Sequence, residues 1–277
     1  MRNFSPNSYG AENQNWGIAQ SQDKLLYVAN NKGLLEFNGA NWTLYPSPNE
    51  TIIRSLHVVG ERIYTGCYRE FGYWVKNKFG RLEYSSLSKE IETQLLEDEE
   101  FWNITYVEGK VFFQSKMRLY SYDTSTQEYH FIDAQNSLPR IFNTETGIYI
   151  QANNEGLFRV VNNEKVLISA NSIFKEDEII AIFSKGPQPL VLTRNNGFFN
   201  LLEGEVTPWE IPTTSLLKQS NVYSAIELQN GNYAIGTVSR GMITITADGD
   251  LVYNIEQNQR HESRSGTQYN GHSTNGG

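Results

Sequence analysis

The chain has 277 residues, 31 of them acidic against 23 basic, for a net charge of −8. That surface repels phosphate backbones and argues against direct nucleic-acid binding. The single cysteine, Cys67, excludes an internal disulfide, and no apolar run approaches the ~20 residues of a membrane span. Sixteen tyrosines, fourteen phenylalanines and 22 glycines predict a strand-rich chain with many tight turns.

Residues 1–13 read as a polar, turn-rich lead-in, with no apolar h-region of a signal peptide behind Met1. Asn15 to Gln20 is the first expected strand. The next stretch sets the pattern. Leu25 to Ala29 reaches a polar turn, Gly33 follows, and Leu34 to Phe37 returns as a hairpin. Asn38-Gly39 then turns the chain into Trp42 to Tyr45, which makes four short strands. The same unit recurs through 51–87, 101–134, 138–170, 177–211 and 221–256, beside 14–46 for the first. Residues 88–100, acidic with apolar positions at 91, 95 and 96, predict a short surface helix inserted between units two and three. The tail, 259–277, is Gly-, Ser- and Asn-rich and reads as disordered.

The slot after the central turn falls at 33, 72, 118, 156, 197 and 241, spaced by 39, 46, 38, 41 and 44 residues. Glycine fills it in every unit except the third, where Arg118 stands. Four-stranded units repeating at ~40–50 residues are the mark of a β-propeller. The expected fold is therefore all-β, a propeller of four-stranded antiparallel blades with six blade units over residues 1–258.

Blade geometry also predicts where a ligand sits. The turns between second and third strands emerge on the same face as the connections between blades. On that face the sequence offers Lys32, Tyr68, Arg69, Glu70, Lys116, Asn154, Arg194, Asn195 and Arg240. Amides, cations and an aromatic suit hydrogen bonding and stacking on sugars or small anions. Asparagine and glycine are also what tight turns require, whereas no turn needs Tyr68, Arg69 or Arg194. Trp16, Trp42, Trp74 and Trp102 fall in strand contexts and are expected to pack between blades. The acidic insert is expected to be a solvated face or a partner contact. No H-E-x-x-H, G-x-S-x-G or P-loop occurs, and His57, His130, His261 and His272 are scattered. No catalytic residue, metal site or cofactor is expected.

The residues Asn3-Phe4-Ser5-Pro6, Tyr9-Gly10-Ala11, Gln14 to Gln20, Asn30 to Trp42 and Glu70 to Trp74 carry a resemblance. They are similar to the N-terminal sensor propeller of Bacteroidetes regulators of the two-component-regulator-propeller type. In that family a triple-tyrosine domain and an output module follow, and the rings commonly have seven blades. The resemblance implies a periplasmic, non-catalytic ligand-sensing module of a transcriptional regulator, and it makes this chain a fragment of the longer protein. The expected ligand is a small molecule or glycan. An alternative is a protein-interaction scaffold or dimerisation module, contacting a second copy or an output domain. A glycan-cleaving enzyme, with acid pairs meeting across blades, ranks last.

Overall fold

The computed structural model describes residues 4–138, 140–185 and 188–255; the predicted disordered tail lies outside them, as does Pro139. Twenty-four strands form six four-stranded antiparallel sheets, each ordered as the chain runs. Blade one holds β1 (Asn15–Gln20), β2 (Leu26–Asn30), β3 (Gly33–Phe37) and β4 (Trp42–Pro46). Blade two holds β5 (Ser55–Val59), β6 (Arg62–Gly66), β7 (Phe71–Lys76) and β8 (Leu82–Ser86). Blade three holds β9 (Asn103–Val107), β10 (Lys110–Gln114), β11 (Arg118–Asp123) and β12 (Tyr129–Asp133). Blade four holds β13 (Ile141–Thr144), β14 (Gly147–Ala152), β15 (Gly156–Val161) and β16 (Glu164–Ser169). Blade five holds β17 (Ile179–Lys185), β18 (Gln188–Thr193), β19 (Gly197–Leu202) and β20 (Glu205–Pro208), and blade six β21 (Val222–Glu227), β22 (Tyr233–Thr237), β23 (Met242–Ile245) and β24 (Leu251–Ile255). The fold is an all-β propeller of six blades.

The chain divides into two compact units, residues 1–176 with 203–205, and residues 177–202 with 206–277. In the first, neighbouring blades stack through apolar side chains on facing surfaces. Tyr27, Leu34 and Tyr45 of blade one meet Ile63 and Trp74 of blade two. Phe71 of blade two stacks on Phe113 of blade three at 4.2 Å, with Phe101 edge-on at 4.8 Å. Phe112, Leu119 and Ile132 of blade three meet Ile148, Ile150 and Phe158 of blade four. The first strands β1, β5, β9 and β13 lie side by side. In the second unit, Phe183, Leu192 and Phe198 of blade five pack with Tyr233, Ile235 and Ile243 of blade six.

Two expectations need correcting. Residues 4–12 are a packed strap rather than a polar lead-in. A short helix, Pro6–Tyr9, ends at Gly10 (φ 69°), and it lays Phe4 and Tyr9 against Trp42 at 5.3 and 5.8 Å. That strap covers the face of blade one carrying Val28, Leu35 and Leu44. The insert is a 3-10 helix over Ser88–Gln94, broken at Ile91 (φ −121°). Ile91 is buried against blades two and three, so the helix is anchored. Nor is the acidic stretch simply solvated, because Glu99 is 4% exposed.

Cys67 is fully buried, its Sγ 3.7 Å from Ser47 Oγ. Burial pushes its thiol pKa up to about 12. At pH 8 the native thiol is therefore protonated and shielded, and Ellman's reagent should leave it untouched until denaturant is added. Prompt stoichiometric labelling of the native protein would contradict this packing.

Candidate functional site

Three side chains at the head of adjacent first strands converge. A β-bulge separates the pairs Asn15–Asn30 and Gly17–Ala29, which makes Trp16 the extra residue and turns its ring off the regular alternation. Arg54 directly precedes β5, its N–H donating to Gly66 O at 2.8 Å. Trp102 precedes β9 in the same way, donating to Gln114 O at 2.8 Å. Because β1, β5 and β9 are neighbours, the Arg54 guanidinium lies over both indole rings, 4.2 Å from the Trp16 centroid and 4.8 Å from that of Trp102. The two rings meet edge to face at 6.0 Å. Cation–π contacts of this kind contribute about 0.5–2 kcal/mol each, more as water is excluded.

Hydrogen bonds fix the group. Arg54 Nη2 pairs with Glu100 Oε1 at 3.0 Å, and Trp16 Nε1 donates to Asn31 Oδ1 at 2.8 Å. Lys116 Nζ sits 5.3 Å from the Trp102 centroid. Among the described residues the Trp102 N–H is shielded from solvent and has no acceptor, a cost of about 1–3 kcal/mol for a buried donor. Beside it opens a cavity of about 270 Å³, lined in part by Tyr68, Glu97, Asp98, Glu100, Trp102 and Lys116. Tyr68 is 37% exposed and donates to Asp98 Oδ1 at 2.8 Å. That carboxylate raises the phenol above its ordinary pKa.

The residues picked from the turns have different surroundings. Tyr68 and Lys116 line the cavity. Arg69 adjoins it, its backbone at φ 49° and its N–H donating to Glu99 O at 2.7 Å. Among the described residues its guanidinium has no carboxylate partner. Glu70 instead accepts the Tyr84 hydroxyl at 2.7 Å, which is a packing role. Lys32 is exposed at its turn, with its N–H on Asn30 Oδ1 at 3.0 Å. Asn154 supplies the left-handed turn residue (φ 62°), its N–H donating to Lys175 O at 3.2 Å. In the second unit Arg194 is paired with Glu178. Asn195 donates twice to Asp177, at 3.0 and 2.9 Å, and Arg240 donates its N–H to Thr237 Oγ1 at 3.0 Å. Among the described residues no cluster of histidine, cysteine or carboxylate side chains could hold a metal.

Arg54 escaped the sequence reading, and Trp16 and Trp102 were assigned to packing. Trp74 packs between blades one and two, with its N–H on Thr65 Oγ1 at 2.9 Å, and Trp42 packs under the strap. Trp16 rests partly on the blade one–two core and meets Trp102 across blades, but both rings also carry the Arg54 contact. A signal was present. Once blades are aligned on their hairpins, the residue at the head of the first strand runs Trp16, Arg54, Trp102, Arg140 through the first four units. Alternating indole and guanidinium at one structural position is not a demand of turns or cores.

No family model matches the chain, and no curated protein matches it. Solved structures do. The extracellular domain of the putative hybrid two component system BT4673 from B. thetaiotaomicron is 18% identical, with TM-score 0.64, covering 90% of this chain and 34% of that one. The extracellular domain of the putative hybrid two component system BT3049 from the same organism is 14% identical, with TM-score 0.68, covering 92% of this chain and 36% of that one. BamB from Moraxella catarrhalis is 12% identical, with TM-score 0.59, covering 82% of this chain and 67% of that one. At these identities the likeness establishes the propeller fold. The first two are extracellular domains of Bacteroidetes signalling systems, the group to which residues 3–74 carry their resemblance. The chain spans about a third of the length of those two relatives.

Proposed function

We propose that this chain is the ligand-sensing propeller of a signalling regulator, non-catalytic and acting outside the cytoplasm. It takes a small molecule or glycan at the mouth marked by Trp16, Arg54 and Trp102. The observation that carries this reading is the guanidinium held over two edge-to-face indoles beside the cavity lined by Trp102, Tyr68 and Lys116. Indole faces stack on the apolar faces of sugar rings, while Tyr68, Lys116 and Arg69 offer donors for hydroxyls or anionic substituents. The first two structural relatives, described as extracellular domains of putative hybrid two component systems, support a sensor role. Lys32, Glu70 and Asn154 remain with the proposal as turn residues of the first unit, and Arg194, Asn195 and Arg240 as turn residues of the second. No helix among the described residues is long and apolar enough to cross a membrane.

Thermal unfolding against a panel of oligosaccharides tests it. A ligand at 100 times its Kd adds about 2.7 kcal/mol, or roughly 5–10 °C in Tm for a chain of this size. The absence of any shift across a broad panel, with the wild-type protein shown to be folded, would count against glycan sensing.

A second reading, a protein-contact module, is favoured by one surface. On the face of blade six opposite its packed side, Ile226, Met242 and Tyr253 are 61%, 41% and 65% exposed. The register places Ile226, Ala234, Thr244 and Tyr253 in one cross-strand row on that face. An apolar sheet surface of this kind favours association. Light scattering discriminates, since a strict monomer across concentration speaks against self-association.

A further inference from the structure

The other end of the strands in the first unit carries a second cavity, about 580 Å³, between blades three and four. Its walls include Lys110 and Arg159, with Thr144 and Thr146 from the β13–β14 turn. Arg159 lies on β15 opposite Tyr149 and Val166. Its side chain rests against the bare backbone of Gly147, where an added Cβ would come within 3.2 Å of Nε and 3.3 Å of Nη2. Arg159 Nε is sealed from solvent and has no acceptor among the described residues. Several half-buried cations elsewhere in this unit are paired with carboxylates, Arg54 with Glu100, Arg118 with Asp133 and Lys165 with Glu155, whereas Arg62 rests on the Tyr73 ring. Arg159 meets no carboxylate among the described residues. Lys110 Nζ donates to Asn163 Oδ1 at 2.9 Å and makes no ion pair within 4 Å among the described residues, although its charge is felt by Asp123.

Carboxylates are present nearby, but none pairs with Arg159 among the described residues. Glu108 and Glu145 also line the cavity, both solvent-exposed. Asp123, opposite Lys110 in register, is engaged by Ser125 and Thr126, whose N–H groups donate at 2.9 and 3.1 Å. A cation removed from water without a counter-charge is unfavourable. The planar donor fork of a guanidinium suits the oxygens of a carboxylate or phosphate. We propose that this cavity binds the oxyanion group of a small hydroxylated molecule, with Arg159 as the principal contact and Lys110 as the second charge. This site is separate from the mouth at Trp102, and neither proposal depends on the other.

Isothermal titration at fixed ionic strength, with malonate and inorganic phosphate as probes and chloride as control, provides the test. Saturable binding of at least one probe is expected, and the preferred probe distinguishes carboxylate from phosphate recognition. Arg159→Gln should weaken binding at least tenfold, and Lys110→Met by a smaller factor. Circular dichroism reports whether each variant folds; should Arg159→Gln fail to fold, Lys110→Met decides alone. No saturable binding by the wild-type protein, or undiminished affinity in a folded variant, overturns the proposal.

Discussion

Glu99→Ala is expected to lower stability by about 3–5 kcal/mol, the largest effect of any single change in the acidic insert. The Glu99 carboxylate accepts Ser115 Oγ at 2.7 Å, Leu96 N–H at 3.0 Å and the Tyr120 hydroxyl. Removing it strands the Tyr120 hydroxyl and the Leu96 N–H in a site that is 4% exposed for Glu99 and fully buried for Tyr120, while Ser115 Oγ keeps the Arg118 carbonyl at 3.1 Å, and stranded donors cost about 1–3 kcal/mol each. Function should suffer with stability. Asp98 and Glu100, on either side, hold Tyr68 and Arg54, so loosening residue 99 loosens both walls of the mouth. Denaturant titration measures the effect. Exposed Glu97, one turn residue away, should change stability by no more than about 0.5 kcal/mol when replaced by alanine. Equal midpoints for the two variants would refute the buried-network account.

Gly33→Ala is expected to cost about 3–5 kcal/mol, and Gly197→Ala only about 1–2 kcal/mol. Both glycines hold the same repeat slot, yet their surroundings differ. A Cβ on Gly33 would lie 2.1 Å from Tyr45 O and 3.0 Å from Ser47 N, both backbone atoms of the next strand's path, with φ at +147°. At Gly197 (φ +81°) the nearest contact is Thr214 Cγ2 at 3.8 Å, so only the backbone preference is lost. Gly156 repeats the tight case, 2.3 Å from Ser169 O, and Gly72 repeats it at 2.2 Å from Ser85 O. Denaturation midpoints at unchanged m-value rank the variants. A Gly33→Ala protein as stable as Gly197→Ala would show that the turn alone, and not the fourth strand, demands glycine.

That contrast shows what was legible and what was not. Period-two apolar runs and Asn-Gly turns are local signals, so strands and blade count could be read directly. The reason for glycine in the slot could not, because it lies in a carbonyl 12 residues away in the case of Gly33 and Tyr45. Asn30 is similar. It reads as a turn residue, yet it is fully buried and its Nδ2 donates to Glu12 O, Gln14 O and Asn15 Oδ1, tying the strap to the first hairpin. The turn cations illustrate a second limit. Sequence placed Arg194 on a ligand face, but a carboxylate 16 residues earlier, Glu178, already holds it. Glu70 is held by Tyr84 in the same manner. Conversely, the meeting of Trp16, Arg54 and Trp102 depends on which strands are neighbours and on a one-residue bulge, and neither is written in a local pattern.

Tryptophan fluorescence titration with the oligosaccharide giving the largest thermal shift tests the mouth most directly, because the reporters are the binding surface. A saturable change is predicted for the wild-type chain. In Trp102→Ala, affinity should fall by about 2 kcal/mol, roughly 30-fold, while Trp42→Phe, at the strap, should leave it intact. Saturation in Trp102→Ala at the wild-type concentration, with both proteins folded, would contradict the assignment of this mouth as the ligand site.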